Sequence, residues 1–170
     1  MPEPSRRLAV LAGSFDPLTN GHLDLLDRAV RLFERVVMAV LVNPGKTPLF
    51  TIDERLAMIR RVTGGRPGVE VETFDGLLAE YVRRRGASAV VRGLRTSGEF
   101  SAELPTALMN RHLNAACETV FIVPAPSVMQ ISSRLVREIA ALGGSLDGLV
   151  PPAVADELRR RFPAPGGAGR

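Results

Sequence analysis

Apolar residues fall in two rhythms along this chain. Leu8 to Ala12 is an unbroken apolar run, Val36 to Val42 is a β-branched and apolar run, and Val69 to Phe74 alternates with polar positions. Ala87 to Val91 and Thr119 to Val123 are short apolar runs of the same kind. Segments of this length and composition predict strands, several of them buried on both faces. Between them the period changes. Leu23, Leu26, Ala29, Val30 and Phe33 recur at helical spacing, with Asp24, Asp27, Arg28 and Arg31 between them. Thr51-Ile52-Asp53-Glu54 reads as a capping box that opens a helix to about Val62, and Gly64, Gly65, Pro67 and Gly68 break it. Leu77 to Arg85 predicts a helix closed by Gly86. Glu99 to Ala115 predicts another, in which Pro105 marks a kink or a late start. Helices from Ile131-Ser132-Ser133 to Leu142 and from Ala153 to Phe162 complete the pattern.

Five strands separated by helices predict an α/β fold: a single Rossmann-like, doubly wound domain with a five-stranded parallel sheet and C-terminal helices. The domain is expected over residues 1–162, followed by a Pro/Gly-rich tail, 163–170, that frays. Ligands of such sheets sit beyond the carboxyl ends of the strands. The segments expected there are 13–22, 43–48, 74–78, 92–95 and 128–134, and the polar and small residues suited to phosphate concentrate in them.

Composition narrows the classes of function. At 170 residues with 45% hydrophobic and 24% charged content, the chain has the makings of one globular domain. No apolar run has the length of a bilayer span, and residues 1–7 lack the apolar core of an export signal. One cysteine, Cys117, permits no internal disulfide, so the expected location is the cytoplasm. The net charge is +4 and the pI about 10.4, but aromatics are only 5% and the basic residues are scattered. A base-stacking surface is therefore poorly supplied, and small anionic substrates are favoured over nucleic acid. Of the 22 basic residues all but Lys46 are arginine. A lone compact ammonium in a Pro/Gly loop reads either as a solvated charge or as a phosphate contact.

Gly13-Ser14-Phe15-Asp16-Pro17-Leu18-Thr19-Asn20-Gly21-His22 joins the first strand to the first helix and places His22 in its first turn. Unpaired N–H groups and the positive dipole end suit a phosphate there, and His22 adds a donor; the bland alternative is a capping histidine. His112, in mid-helix, reads as packing or interface. Ser14 lies at the mouth of the expected crevice, and Asp16-Pro17 reads as structural, with Asp16 bonding to nearby N–H groups. Arg92 and Arg95 flank Gly93 at a strand end, where two guanidinium groups can meet one anion. Ser132 and Ser133 read as N-caps or as part of a phosphate nest. Neither Gly-x-Gly-x-x-Gly nor a Walker loop is present, and no Cys/His spacing suggests a metal ligand set.

Thr19-Asn20-Gly21-His22 and Ile131-Ser132-Ser133-Arg134-Leu135-Val136-Arg137 resemble the paired (T/H)xGH and ISSTxxR-like signatures of the nucleotidyltransferase superfamily. With the stretches 13–22, Lys46 before Pro48, Val91 to Arg95 and Met109 to Leu113, the chain from about Leu8 to Phe162 resembles the bacterial phosphopantetheine adenylyltransferases. The resemblance implies AMP transfer from ATP to 4′-phosphopantetheine, giving dephospho-coenzyme A and pyrophosphate, by direct in-line attack with Mg²⁺ assisting. It implies catalytic roles for His22, Lys46 and Arg95. Phosphopantetheine would be held by Ser14, Lys46, Leu78 and Arg92. ATP would be held by Ser14, Phe15, His22, Gly93, Leu94, Arg95, Glu103 and the run Val128, Met129, Gln130, Ile131, Ser132, Ser133 and Arg134. A homohexamer and feedback inhibition by coenzyme A are implied as well. Arg134 departs from the Ser or Thr usual in the family, and the 125–130 loop lacks its usual aromatic. The competing readings are a nucleotidyltransferase acting on nicotinate mononucleotide or transferring cytidylate, and a non-catalytic nucleotide-binding module.

Overall fold

A computed structural model of the chain describes residues 5–42, 45 and 47–163. Five strands, β1 (Ser5–Gly13), β2 (Arg35–Leu41), β3 (Val69–Phe74), β4 (Ala87–Gly93) and β5 (Glu118–Ile122), form one sheet. All four pairings are parallel and the spatial order is β3-β2-β1-β4-β5. Six helices accompany them: α1 (Asn20–Leu32), α2 (Ile52–Thr63), α3 (Leu78–Arg85), α4 (Ser97–Leu113), α5 (Ser133–Ala141) and α6 (Pro152–Arg161). No helix among the described residues is long and apolar enough to cross a membrane.

Strand alternation divides the core in two. Ala9, Leu11, Val36, Met38 and Val40 face one layer, where they join Leu26 of α1, Ile59 of α2, Val136 of α5 and Leu158 of α6. Leu8, Val10, Ala12, Val37 and Ala39 face the other, joining Tyr81 and Val82 of α3 and the buried Cys117. Burial on both faces is why β1 and β2 read as apolar runs and not as alternating strands. From β1 the chain winds outward to β3 and then returns to the other side of β1 as β4. The winding direction therefore reverses between β1 and β4, and a crevice opens beyond their carboxyl ends.

The sequence expectations differ from the structure where tertiary context overrides a local rule. Pro105 neither breaks α4 nor delays it: the helix starts at the Thr96 cap, whose side chain accepts from Glu99 N–H, and runs through the proline. Proline removes one N–H from the helix ladder, and the turns on either side carry it across. The first helix begins at Asn20, three residues before its apolar stripe, because Thr19 caps it. Strand β1 extends back to Ser5, where it pairs with Ala87. Of the 163–170 tail, only Pro163 falls within the described residues.

Candidate active site

The turn after β1 is tightly built. Phe15 has φ 45°, a left-handed conformation that residues with a side chain seldom adopt. Its buried ring folds beneath Gly13, where a Cβ would lie 3.1 Å from Phe15 Cζ, and meets the His22 ring edge-on at 5.0 Å. Asp16 acts at longer range than its expected bonding to nearby amides. Its buried carboxylate accepts from Leu49 N–H at 2.8 Å and Phe50 N–H at 2.9 Å, and Arg137 Nη1 lies 3.3 Å from Oδ2. One carboxylate thus ties the turn to the segment before α2 and to α5.

His22 is the third residue of α1 and takes the position that Glu or Gln occupies in an ordinary capping box. Thr19 N–H donates to His22 Nδ1 at 3.0 Å, and His22 N–H donates back to Thr19 Oγ1 at 3.4 Å. Accepting at Nδ1 requires that nitrogen to be unprotonated, so in the neutral ring Nε2 carries the proton and is the donor. Burial, reinforced by the positive charges of Arg95 and then Arg92, lowers the His22 pKa from 6.5 to about 4. The imidazole is neutral at physiological pH. A group whose pKa drops on folding stabilises the fold fully above its unfolded value and loses that contribution as pH falls through the folded one. An NMR titration of His22 Cε1–H is therefore expected to show a midpoint near 4, with the nitrogen shifts of the Nε2–H tautomer at pH 7. Stability should decline between pH 6.5 and 4, less steeply in His22→Gln.

The two arginines of β4 and the loop after it are held by the same device. Arg92 makes a fork on Glu103, with Nε to Oε2 at 2.9 Å and Nη2 to Oε1 at 2.6 Å, while Nη1 donates to Ala12 O at 2.9 Å. Arg95 makes a fork on Glu99 through Nε and Nη2, its N–H donates to Glu99 Oε2 at 2.7 Å, and Nη1 donates to Ile131 O at 3.1 Å. Each guanidinium is oriented by a carboxylate of α4 and a backbone carbonyl, Ala12 O of β1 for Arg92 and Ile131 O before α5 for Arg95, so little rotamer freedom remains to be lost on binding. Those bonds lower the Glu99 pKa, against the opposing effect of burial. Gly93 sits between them because β4 approaches α1 closely: a Cβ there would lie 2.6 Å from Leu25 Cδ1.

These elements enclose a cavity of about 770 Å³ whose wall includes Ser14, Phe15, His22, Arg92, Gly93, Arg95, Glu103, Val128, Ile131, Ser132 and Ser133. Ser132 caps α5 by accepting from Leu135 N–H at 3.2 Å, and Ser133 Oγ donates to Pro17 O at 2.7 Å. With both hydroxyls engaged, the free backbone amides of the α5 start are the natural anion donors. Leu78 lies in an adjoining hollow of about 330 Å³ that shares Arg92 and Glu103 with the cavity. Leu94, Met129, Gln130 and Arg134 are outside the cavity wall. Leu94 N–H continues the sheet to Ile122 O, and Arg134 is exposed on α5. Lys46 lies outside the described residues.

Arg55, Glu99 and Arg137 all line the cavity, although the sequence assigns none of them a site role and marks Arg137 only as the last residue of the ISSTxxR-like stretch. Arg137 could have been found from its place four residues after Ser133, on the same face of α5. Four arginines face three carboxylates in the described wall, and this leaves a net positive crevice suited to anionic ligands.

A cytidylyltransferase-like family model matches residues 10–139 of the chain. Among curated proteins, the phosphopantetheine adenylyltransferase of Alkalilimnicola ehrlichii is 53% identical over 160 residues, covering 93% of this chain and 92% of its own. That of a Synechococcus strain is 51% identical over 156 residues, covering 92% and 98%. The corresponding protein of Anaeromyxobacter dehalogenans is 48% identical over 159 residues, covering 94% and 97%.

Proposed function

We infer, since the chain belongs to the phosphopantetheine adenylyltransferases of the cytidylyltransferase-like family, that its crevice brings ATP and 4′-phosphopantetheine together for direct in-line transfer of AMP. The products are dephospho-coenzyme A and pyrophosphate. The observation that carries the mechanism is the convergence at one switch point of a neutral His22 with Nε2–H as donor, two braced arginines and the start of α5.

The chemistry asks for positioning more than for proton transfer. The attacking phosphate is already ionised at neutral pH, so no general base is needed. Two anions must approach, and Arg92 and Arg95 offset their repulsion while holding their orientation. Negative charge then grows on the α-phosphate oxygens. A fixed donor such as His22 Nε2–H stabilises this charge most effectively, because it requires no reorganisation. By resemblance, Lys46 adds a further cation. Bound Mg²⁺ would supply neutralisation of phosphate charge on ATP. Among the described residues no group of three or more His, Cys, Asp or Glu is placed to cage it, and Mg²⁺ commonly rides on substrate phosphates.

The adjoining hollow suits the pantetheine arm. Leu77, Leu78, Phe74 and Val90 give it an apolar lining, and Asn110 and Thr106 add polar groups. Phe100, Leu104, Leu108 and Met109 of α4 are exposed, and this supports a homo-oligomer, a hexamer by resemblance. A cytoplasmic location and inhibition by coenzyme A belong to the same reading.

Pyrophosphate release is the test. Release from ATP is expected with phosphopantetheine and not with nicotinate mononucleotide. Release with the latter alone would transfer the assignment to that branch, and release with neither, from ATP or from CTP, would leave a binding module.

A further inference from the structure

Arg55 carries a charge that nothing in the pattern of α2 explains burying. It stands four residues after the Thr51 cap and is only 5% exposed, yet it lines the crevice. Its Nε donates to Thr51 O at 3.3 Å and its Nη1 to Ser14 O at 2.8 Å. Among the described residues no carboxylate pairs with it. The three carboxylates of the cavity wall are engaged elsewhere: Asp16 with Arg137, Glu99 with Arg95 and Glu103 with Arg92. A buried cation without a counter-charge is costly, and two carbonyls offset that cost only in part. Negative charge that grows on a phosphate in the crevice during transfer would offset the rest.

The bond to Ser14 has a geometric consequence. In a trans peptide the C=O and the following N–H point in opposite directions. Holding Ser14 O on Arg55 therefore turns Phe15 N–H away from the guanidinium, and that N–H has no acceptor among the described residues. The Ser14 side chain is exposed and Phe15 sits at φ 45°, so the Arg55 bond adds to the packing of the Phe15 ring in fixing this peptide. A flip would replace a donor with a carbonyl oxygen, which repels phosphate.

We propose that Arg55 is a positioning residue: it locks the Ser14–Phe15 peptide with its N–H available to a bound phosphate and sets an uncompensated positive charge behind it. The proposal rests on reading the crevice as the site of phosphate transfer. Arg55→Gln and Arg55→Lys test it, each assayed with ATP and phosphopantetheine and each followed by backbone amide NMR of the full chain. The Gln variant is expected to lose about 10- to 100-fold in kcat with both KM values close to wild type. Its Phe15 amide resonance should move while those of α6 stay in place. The Lys variant keeps the charge without the fork and should fall between. A folded Gln variant with wild-type kcat overturns the proposal. So does a raised KM at unchanged kcat, which would make Arg55 a direct ligand, of ATP or of phosphopantetheine according to which KM rises. Should the Gln variant not fold, the Lys variant decides: wild-type kcat with an unmoved Phe15 resonance overturns the proposal. Absence of pyrophosphate release by the wild-type protein would refute the functional reading separately, since the Phe15 resonance still reports whether Arg55 holds the turn.

Discussion

His22→Ala is expected to lower kcat by about 10²- to 10³-fold while KM for ATP changes little. The asymmetry follows from where the donor acts. In the ground state the α-phosphate oxygens share their charge and accept from several groups, so one imidazole adds little to binding. In the transition state the charge on those oxygens grows, and a donor whose direction is already set gains most. The Thr19 capping box sets that direction by holding Nδ1 at 3.0 Å from a backbone amide. Alanine also deprives Thr19 N–H of its acceptor, at a cost of about 1 kcal/mol, small beside the roughly 5–15 kcal/mol stability of a typical domain. A modest fall in Tm with a large fall in kcat is thus the expected pair of results. A kcat within a fewfold of wild type would remove His22 from the transition state.

What the sequence could disclose of this site divides by the range of the interaction. His22 at a helix start, Arg92 and Arg95 around Gly93, and Ser132 at the head of α5 are set by residues within four positions, and their placement could be read from spacing. That five strands form a parallel sheet was legible too, because helices separated every apolar run, while their spatial order was not. Partners across the fold were not. Glu103 is named only as an ATP contact by resemblance and Glu99 is given no role, and only the packing of α4 beside β4 makes them the braces of Arg92 and Arg95. Nothing near Arg55 in sequence marks it, and its burial appears only once Ser14 is brought against it from 41 residues away. The same limit explains Pro105, where a correct local rule allows a late start and α4 begins instead at Ser97.

Arg92→Ala should lower kcat/KM for phosphopantetheine by about 10²-fold or more, because it deletes one charge and exposes another. In the intact site Arg92 and Glu103 form a half-buried fork, so a phosphate approaching the boundary between cavity and hollow meets a neutral pair whose remaining N–H groups can bind it. With alanine at 92, Glu103 stands alone there and repels both reactants. The penalty should shrink as salt is raised, since a partly exposed charge is screened. Removing the orphaned carboxylate as well separates the two contributions. Arg92→Ala/Glu103→Ala is expected to recover part of the lost kcat/KM, leaving the deficit that belongs to the phosphate contact itself. A double variant no better than the single one would mean that Glu103 exerts no repulsion. A single variant with near wild-type KM would mean that Arg92 serves the sheet, through Ala12 O, and not the substrate.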